Sequence, residues 1–217
     1  NINTTTVDWG DGTTPETVNK DSWIEHRHVY ASSGSYVITM SVKEGKTMQL
    51  GNGSSGRMLI ANGETDSGRC TMLKKVEIGE RVTRVTERAF YNAPQLKSVA
   101  VPSGVLFEPW RMFEKAANIR AVTAAFSSAI QMTFYQCVNL RAIATPKDTT
   151  QVNDYAITNT AVRQVNFDIT SAYITRSLER VHIKAVNGTV GSFDGCVSLM
   201  EATIPADATT FVAVAFQ

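Results

Sequence analysis

The stretch "AFYNAPQLKSVAV", residues 89–101, contains the unit that most of the chain repeats. Its last six residues have apolar side chains at the first, fourth and sixth positions, and this pattern recurs. The copies begin at Leu73, Leu96, Ile119, Leu140, Val162, Leu178 and Leu199. All steps between them but one are 21 to 23 residues long, within the period of about 20 to 29 residues of a solenoid repeat that contributes one strand. The pattern predicts one short strand per repeat, stacked on its neighbours.

The segment that precedes each strand is also repeated. An aromatic or branched side chain comes first, at Phe90, Phe113, Phe134, Ile157, Phe193 and Phe216. A small residue follows three positions later, at Ala93, Ala116, Cys137, Thr160 and Cys196. These columns predict a continuous apolar spine beside a line of small side chains. The copy that begins at Val162 spans only 16 residues and lacks the aromatic block.

The three cysteines, Cys70, Cys137 and Cys196, form no closely spaced metal motif. Cys137 and Cys196 lie three rungs apart in the small column, which places their Cα atoms about 14 Å apart at about 4.8 Å per rung. A disulfide requires less than about 7 Å. Both are therefore predicted to be small, buried, apolar fillers.

A different pattern occupies the first part of the chain, where "TVDWGDGTTPE", residues 6–16, predicts a tight turn after a strand. Asp8 and Asp11 are expected to hold this turn. A calcium site at these residues is the alternative, although calcium prefers about six or more oxygen ligands. His26 and His28 are expected on one face of a strand, and a metal role for the pair is a second alternative.

Two family resemblances follow from these motifs. "WGDGT", then "HVY" and "GSYVITMSV", resemble the second half of a PKD-type, immunoglobulin-like β-sandwich domain. The repeats, with their A-F-x-x-C/A-x-x-L pattern, resemble the BspA-type leucine-rich repeat family. Together they imply a mixed, β-rich fold: a PKD-like β segment over residues 1–45, a connector over 46–72, and a solenoid over 73–217. The second resemblance implies a strand and a short helical turn per repeat.

Composition excludes several functions and specifies none. A net charge of +1 is too small for general attraction to nucleic acid, and no apolar run is long enough for a membrane helix. No nucleophile elbow, P-loop, zinc-protease or dinucleotide motif occurs. We therefore expect a non-enzymatic protein without a cofactor.

The BspA-type resemblance implies a secreted or bacterial cell-surface protein that binds an extracellular protein or glycan. The alternatives are an accessory part of a secreted hydrolase and a passive surface spacer. Because the last repeat ends at Phe216 and Gln217 without a cap, the chain is expected to be a fragment or to have its end covered.

Two candidate binding features follow from the repeats. The residue after each leading apolar position is basic in five successive copies, at Lys74, Lys97, Arg120, Arg141 and Arg163. We call these five residues the basic strip. They predict either a solvated rim, whose positive charge is offset by acids such as Glu77 and Glu80, or a site for an acidic ligand. Trp110, in the bulky segment "LFEPWRMF", is expected either in the core or on a ligand-stacking surface.

Overall fold

A computed structural model describes residues 4–19, 26–51, 71–102, 104–126, 131–144, 155–165 and 167–217. The chain divides into two compact units, Asn1–Met48 and Gln49–Gln217.

The described part of the first unit contains one antiparallel sheet. Strand β1 (Thr4–Asp8) lies between β2 (Glu16–Asn19) and β3 (Thr39–Val42). Burial alternates from Tyr36 to Val42 as predicted, although only its second half is strand. Residues 26–30 form no strand, so the strand predicted for His26 and His28 is wrong. The described residues of the first unit contain no second sheet, which a β-sandwich would need.

The described residues of the second unit contain twelve short strands. They are β4 (Met48–Leu50), β5 (Lys75–Glu77), β6 (Val82–Val85), β7 (Ser98–Ala100), β8 (Leu106–Phe107), β9 (Ala121–Thr123), β10 (Ala125–Phe126), β11 (Ala142–Ala144), β12 (Arg180–His182), β13 (Thr189–Val190), β14 (Glu201–Thr203) and β15 (Thr210–Phe211). β4 lies within the predicted connector, most of which falls outside the described residues.

Strands β5 to β15 each pair in parallel with a strand of a neighbouring repeat. β5 pairs with β7, β9 with β11, and β12 with β14; these are the strands that the six-residue pattern predicted. A second ladder, β4-β6-β8-β10, and the pair β13-β15 run through other parts of the repeats. The second unit is therefore a β-solenoid with two strands in most of its described repeats, one more than the sequence predicted.

The predicted spine of aromatic rings is confirmed. Phe90 stacks on Phe113 with ring centroids 5.3 Å apart, and Phe113 stacks on Phe134 at 5.7 Å. Phe193 and Phe216 stack in the same way at 5.5 Å. Parallel pairing one repeat apart brings equivalent residues together, so Phe90, Phe113, Phe134 and Phe193 are buried, whereas Phe216 in the last repeat is 44% exposed.

The copy that begins at Val162 keeps the same backbone pattern without an aromatic ring at the spine position. Ala172 takes the place of the phenylalanine, because its N–H donates to Ser192 one repeat ahead, 3.0 Å away. The buried side chains of Phe167 and Ile169 lie in this shorter copy. A small residue thus replaces a ring within an unbroken array.

The short helical turn expected in each repeat is wrong: the described residues contain no helix, and hence none that could cross a membrane. In the first repeat, the N–H of Phe90 donates to the carbonyl of Met112, and that of Asn92 to the carbonyl of Glu114, at 3.1 and 2.8 Å. Helical hydrogen bonds would instead point back along the same segment. Left-handed backbone at Arg88 (φ 58°) and Asn92 (φ 50°) also interrupts any helix.

The column of small residues contains hydrogen-bond donors as well as fillers. The Cys137 thiol donates to the carbonyl of Phe113 at 2.9 Å, and the Cys196 thiol to that of Ala172 at 2.6 Å. Thr175 donates in the same way to Ile157, also at 2.9 Å. Each donor therefore ties its repeat to the spine residue of the preceding one. Both cysteines are free and buried.

We expect Phe113→Ala to lower the free energy of unfolding by about 3–5 kcal/mol, because it opens a cavity between two stacked rings. Urea unfolding followed by circular dichroism measures this. Val197→Ala is the matched control: its side chain is 76% exposed, so it should cost less than about 0.5 kcal/mol. Equal losses in the two variants would contradict a spine that stabilises the array.

Burial should also protect the two buried thiols from alkylation. It raises the pKa of Cys196 to about 11 and raises that of Cys137 further, and the thiolate is the reactive form. In native protein at about pH 8, iodoacetamide should leave both unmodified, whereas in urea both should react. Mass mapping of the peptides checks this, and rapid native modification of Cys137 would contradict the packing.

Candidate binding surfaces

The basic strip is held in line by main-chain hydrogen bonds between repeats. The N–H of Lys97 donates to the carbonyl of Lys74 at 3.0 Å, and that of Arg141 to Arg120 at 2.9 Å. Further along, Glu179 donates to Arg163 at 2.8 Å. Equivalent residues thus sit on successive rungs, about 5 Å apart, and all five basic residues are exposed.

The charges along the strip are offset only in part. Arg163 lies 3.4 Å from the carboxylate of Glu179. Glu77, expected to offset the strip, instead pairs with Lys75, whose hydrogen bond and charge lower the pKa of Glu77. Among the described residues, no carboxylate forms an ion pair with Lys97, Arg120 or Arg141. These three positive charges are available to an external anion.

On β7, β9 and β11, the outward face beside the strip carries no bulky side chain. Its outward side chains are small, as predicted, and exposed: Ser98, Ala100, Ala121, Thr123, Ala142 and Ala144. Arg180 and Glu201 form an ion pair at 3.2 Å between the last two strands of this type. Small side chains leave room for a ligand to lie close to the backbone.

Trp110 is half-buried and is partnered by the chain itself. The guanidinium carbons of Arg88 and Arg111 lie 4.3 and 5.3 Å from its ring centre, within the range of cation–π attraction. Nearby Phe107 is fully buried between Phe90 and Phe113, at 6.3 and 6.1 Å. The core interpretation therefore holds for Phe107, and Trp110 contributes to a charged cluster at the turns.

Glu114 belongs to the same cluster and was not singled out by the sequence. It is buried, and this burial raises its pKa against the opposing charges of Arg111, Lys115 and Arg88. Its carboxylate lies 3.3 Å from Arg111 and 3.9 Å from Lys115. Its position directly after Phe113 in the repeat is the one signal that could have indicated a turn-side contact.

The aspartates of the first unit hold a turn. Asp8 accepts a hydrogen bond from the N–H of Gly10 at 2.8 Å, and Asp11 accepts from both the N–H and the hydroxyl of Thr13 at 3.1 and 2.6 Å. The Thr13 hydroxyl bond, assisted by His28, lowers the pKa of Asp11 to about 2. A side chain at Gly10 would meet the carbonyl oxygen of Val37 at 2.4 Å, so glycine is required there.

The two histidines face different carboxylates. His26 lies 3.1 Å from Glu16, whereas His28 lies 2.7 Å from Asp11 and stacks on Trp9 at 4.8 Å. Within the residues that the structure describes, no three His, Cys, Asp or Glu side chains gather as a metal site would require.

A cavity of about 440 Å³ opens among the turns that follow the basic strip's middle rungs. Tyr135, Tyr155, Tyr173 and Arg176 contribute to its lining. Sequence reasoning did not identify Tyr155, Tyr173 or Arg176. Aligning the residues on either side of each spine position would have shown this concentration of tyrosine.

Parallel strand pairs between repeats, an internal spine and a recurrent turn define the second unit as a leucine-rich-repeat solenoid. The model of the BspA type leucine rich repeat region matches six copies, over residues 68–178 and 132–217. The chain therefore belongs to this family. The PKD-like resemblance of the first unit is not confirmed.

Other comparisons add little. A solved structure of a leucine-rich repeat protein from Bacteroides ovatus is 12% identical, with 88% of this chain and 78% of that one covered. Its TM-score of 0.25 is too low to support an argument. No curated protein matches the chain.

Removing the charge over Trp110 should weaken this cluster. Arg88→Met keeps an apolar stem but loses the cation, so we expect a loss of about 0.5–2 kcal/mol of stability in urea unfolding. Arg141→Met, which removes an exposed cation without a ring beneath it, should change stability by less than about 0.5 kcal/mol. Indistinguishable midpoints would mean that the cation–π contact contributes nothing.

Proposed function

We propose that this chain is a non-catalytic recognition module, secreted or displayed on a bacterial surface, which binds an anionic extracellular glycan or protein through the basic strip. The observation that carries the proposal is the column of Lys97, Arg120 and Arg141, exposed on adjacent rungs and without carboxylate partners among the described residues. The family resemblance supports the surface location and the binding role.

The energetics of the strip favour an anionic polymer over a single ion. Two unit charges about 5 Å apart in water repel by about 0.8 kcal/mol before screening. A ligand whose negative charges repeat along its length relieves this repulsion at several rungs together. It can also lie flat, since the neighbouring face from Ser98 to Ala144 presents small side chains. Because the strip is exposed, salt should weaken the interaction.

Three glutamine substitutions test the strip. Lys97→Gln, Arg120→Gln and Arg141→Gln together should lower the affinity for a heparin-derived octasaccharide about ten- to a hundredfold, at about 0.5–1 kcal/mol per lost contact. Biolayer interferometry at two salt concentrations measures this.

The matched control removes the same three charges elsewhere. Lys75→Gln, Arg84→Gln and Arg180→Gln replace cations that already pair with Glu77, Glu108 and Glu201. Affinity should hardly change. Equal losses in both triple variants would show that net charge, and not the strip, attracts the ligand.

A panel of sulfated glycans, sialylated glycans and matrix proteins, assayed for both binding and turnover, separates the proposal from its alternatives. Binding without turnover supports recognition. Turnover would favour a part in a secreted hydrolase, and the absence of both binding and turnover would favour a passive spacer. Either result would overturn the proposal.

A further inference from the structure

A second surface, distinct from the basic strip, lies in the turns that contain Phe134, Ile157 and Ala172. Its cavity of about 440 Å³ falls within the usual range for small-ligand sites. Three tyrosines, Tyr135, Tyr155 and Tyr173, line it. Tyr155 and Tyr173 are 48% and 38% exposed, and the rings of Tyr135 and Tyr155 meet edge to face at 6.5 Å.

The earlier repeats show what these rings lack. At the corresponding turns, the chain's own cations cover the aromatic faces: Arg88 lies over Trp110 at 4.3 Å, and Lys115 over Tyr91 at 5.8 Å. No cation of the described residues lies over Tyr135, Tyr155 or Tyr173 in this way. Similar turns therefore differ in their aromatic contacts. In the earlier repeats, cations of the chain cover the rings, whereas the rings that line the cavity remain uncovered.

Polar groups in the cavity also lack partners. Thr158 is only 4% exposed, and its hydroxyl makes no hydrogen bond within the described structure. Such a buried, unpaired hydroxyl is costly unless something else bonds to it. Arg176 lines the same cavity without a carboxylate partner among the described residues. Gln136 and Asn159 add amide groups that both donate and accept.

We propose that this cavity binds a short oligosaccharide that carries a carboxylate. Tyrosine faces attract the polarised C–H groups of a sugar ring through their negative quadrupole. The amides of Gln136 and Asn159 suit sugar hydroxyls, and the Arg176 guanidinium suits a carboxylate. A peptide side chain would favour a more apolar lining than these groups provide. The proposal does not rest on the basic strip.

Tyr155→Asn is the variant that tests the proposal most directly. Tyr155 has left-handed backbone, with φ of 66°, which asparagine adopts more readily than most residues; the substitution therefore removes the ring without straining the turn. Thermal unfolding should confirm that the variant folds. Arg176→Gln removes the cation alone, and Tyr91→Asn removes a tyrosine that lies outside the cavity.

Saturation-transfer NMR and calorimetry with trigalacturonate, 3′-sialyllactose and neutral lactose test the proposal on the whole chain. We expect at least one acidic sugar to bind tenfold or more tightly than lactose. Tyr155→Asn should weaken that binding at least tenfold, and Arg176→Gln should reduce it to the level of lactose. Tyr91→Asn and the strip triple variant should leave it unchanged.

Three outcomes would overturn the site. The first is no saturation transfer from either acidic sugar at millimolar concentration. The second is unchanged affinity in folded Tyr155→Asn protein. The third is binding of carboxylate-terminated peptides, lost in Tyr155→Asn, without any sugar binding; this would assign the cavity to a peptide instead. Because the strip variant is measured in parallel, failure here leaves the recognition proposal standing separately.

Discussion

Main-chain hydrogen bonds between successive repeats are the constraint on which the second unit depends. An amide such as that of Phe90 or Phe113 has its acceptor one repeat ahead, and not within its own turn. A buried amide without an acceptor is costly, so the repeats must stay in register. Register then places equivalent side chains above one another. The aromatic spine, the donor column and the basic strip all follow from this single requirement.

The sequence predicted those features that depend on position within the repeat. The spine needed only the recurrence of Phe90, Phe113 and Phe134, and the strip only the residue after each leading apolar position. The column of small residues was also evident. Its hydrogen bonds were not, because an alanine at the same position, such as Ala116, fills the space equally well. A filler and a donor look alike until the facing carbonyl is located.

Other features could not be read from the pattern because they depend on backbone conformation or on distant partners. Strands such as β8, with only Leu106 and Phe107, are too short to show a period. The helical turn implied by the family was wrong because Arg88 and Arg111 take left-handed backbone without the glycine that usually signals it. Similarly, nothing in the local sequence indicates that Arg88 covers Trp110. Nor does it indicate that Glu77 pairs with Lys75 and not with a residue of the basic strip.

Spine positions are fixed by burial, whereas the turn positions beside them can vary. This difference explains how one backbone can present different surfaces. At a turn, the main chain supplies most of the hydrogen bonds between repeats, so the residues directly beside the spine need only tolerate the conformation. Tyr155 occupies the place that Arg88 holds three turns earlier, and Tyr135 and Tyr173 occupy that of Glu114. In the spine itself even Ala172 must remain buried. Selection for binding can therefore act on the turns with little effect on the fold, and the closed cluster around Trp110 and the open tyrosine cavity are two outcomes of the same architecture.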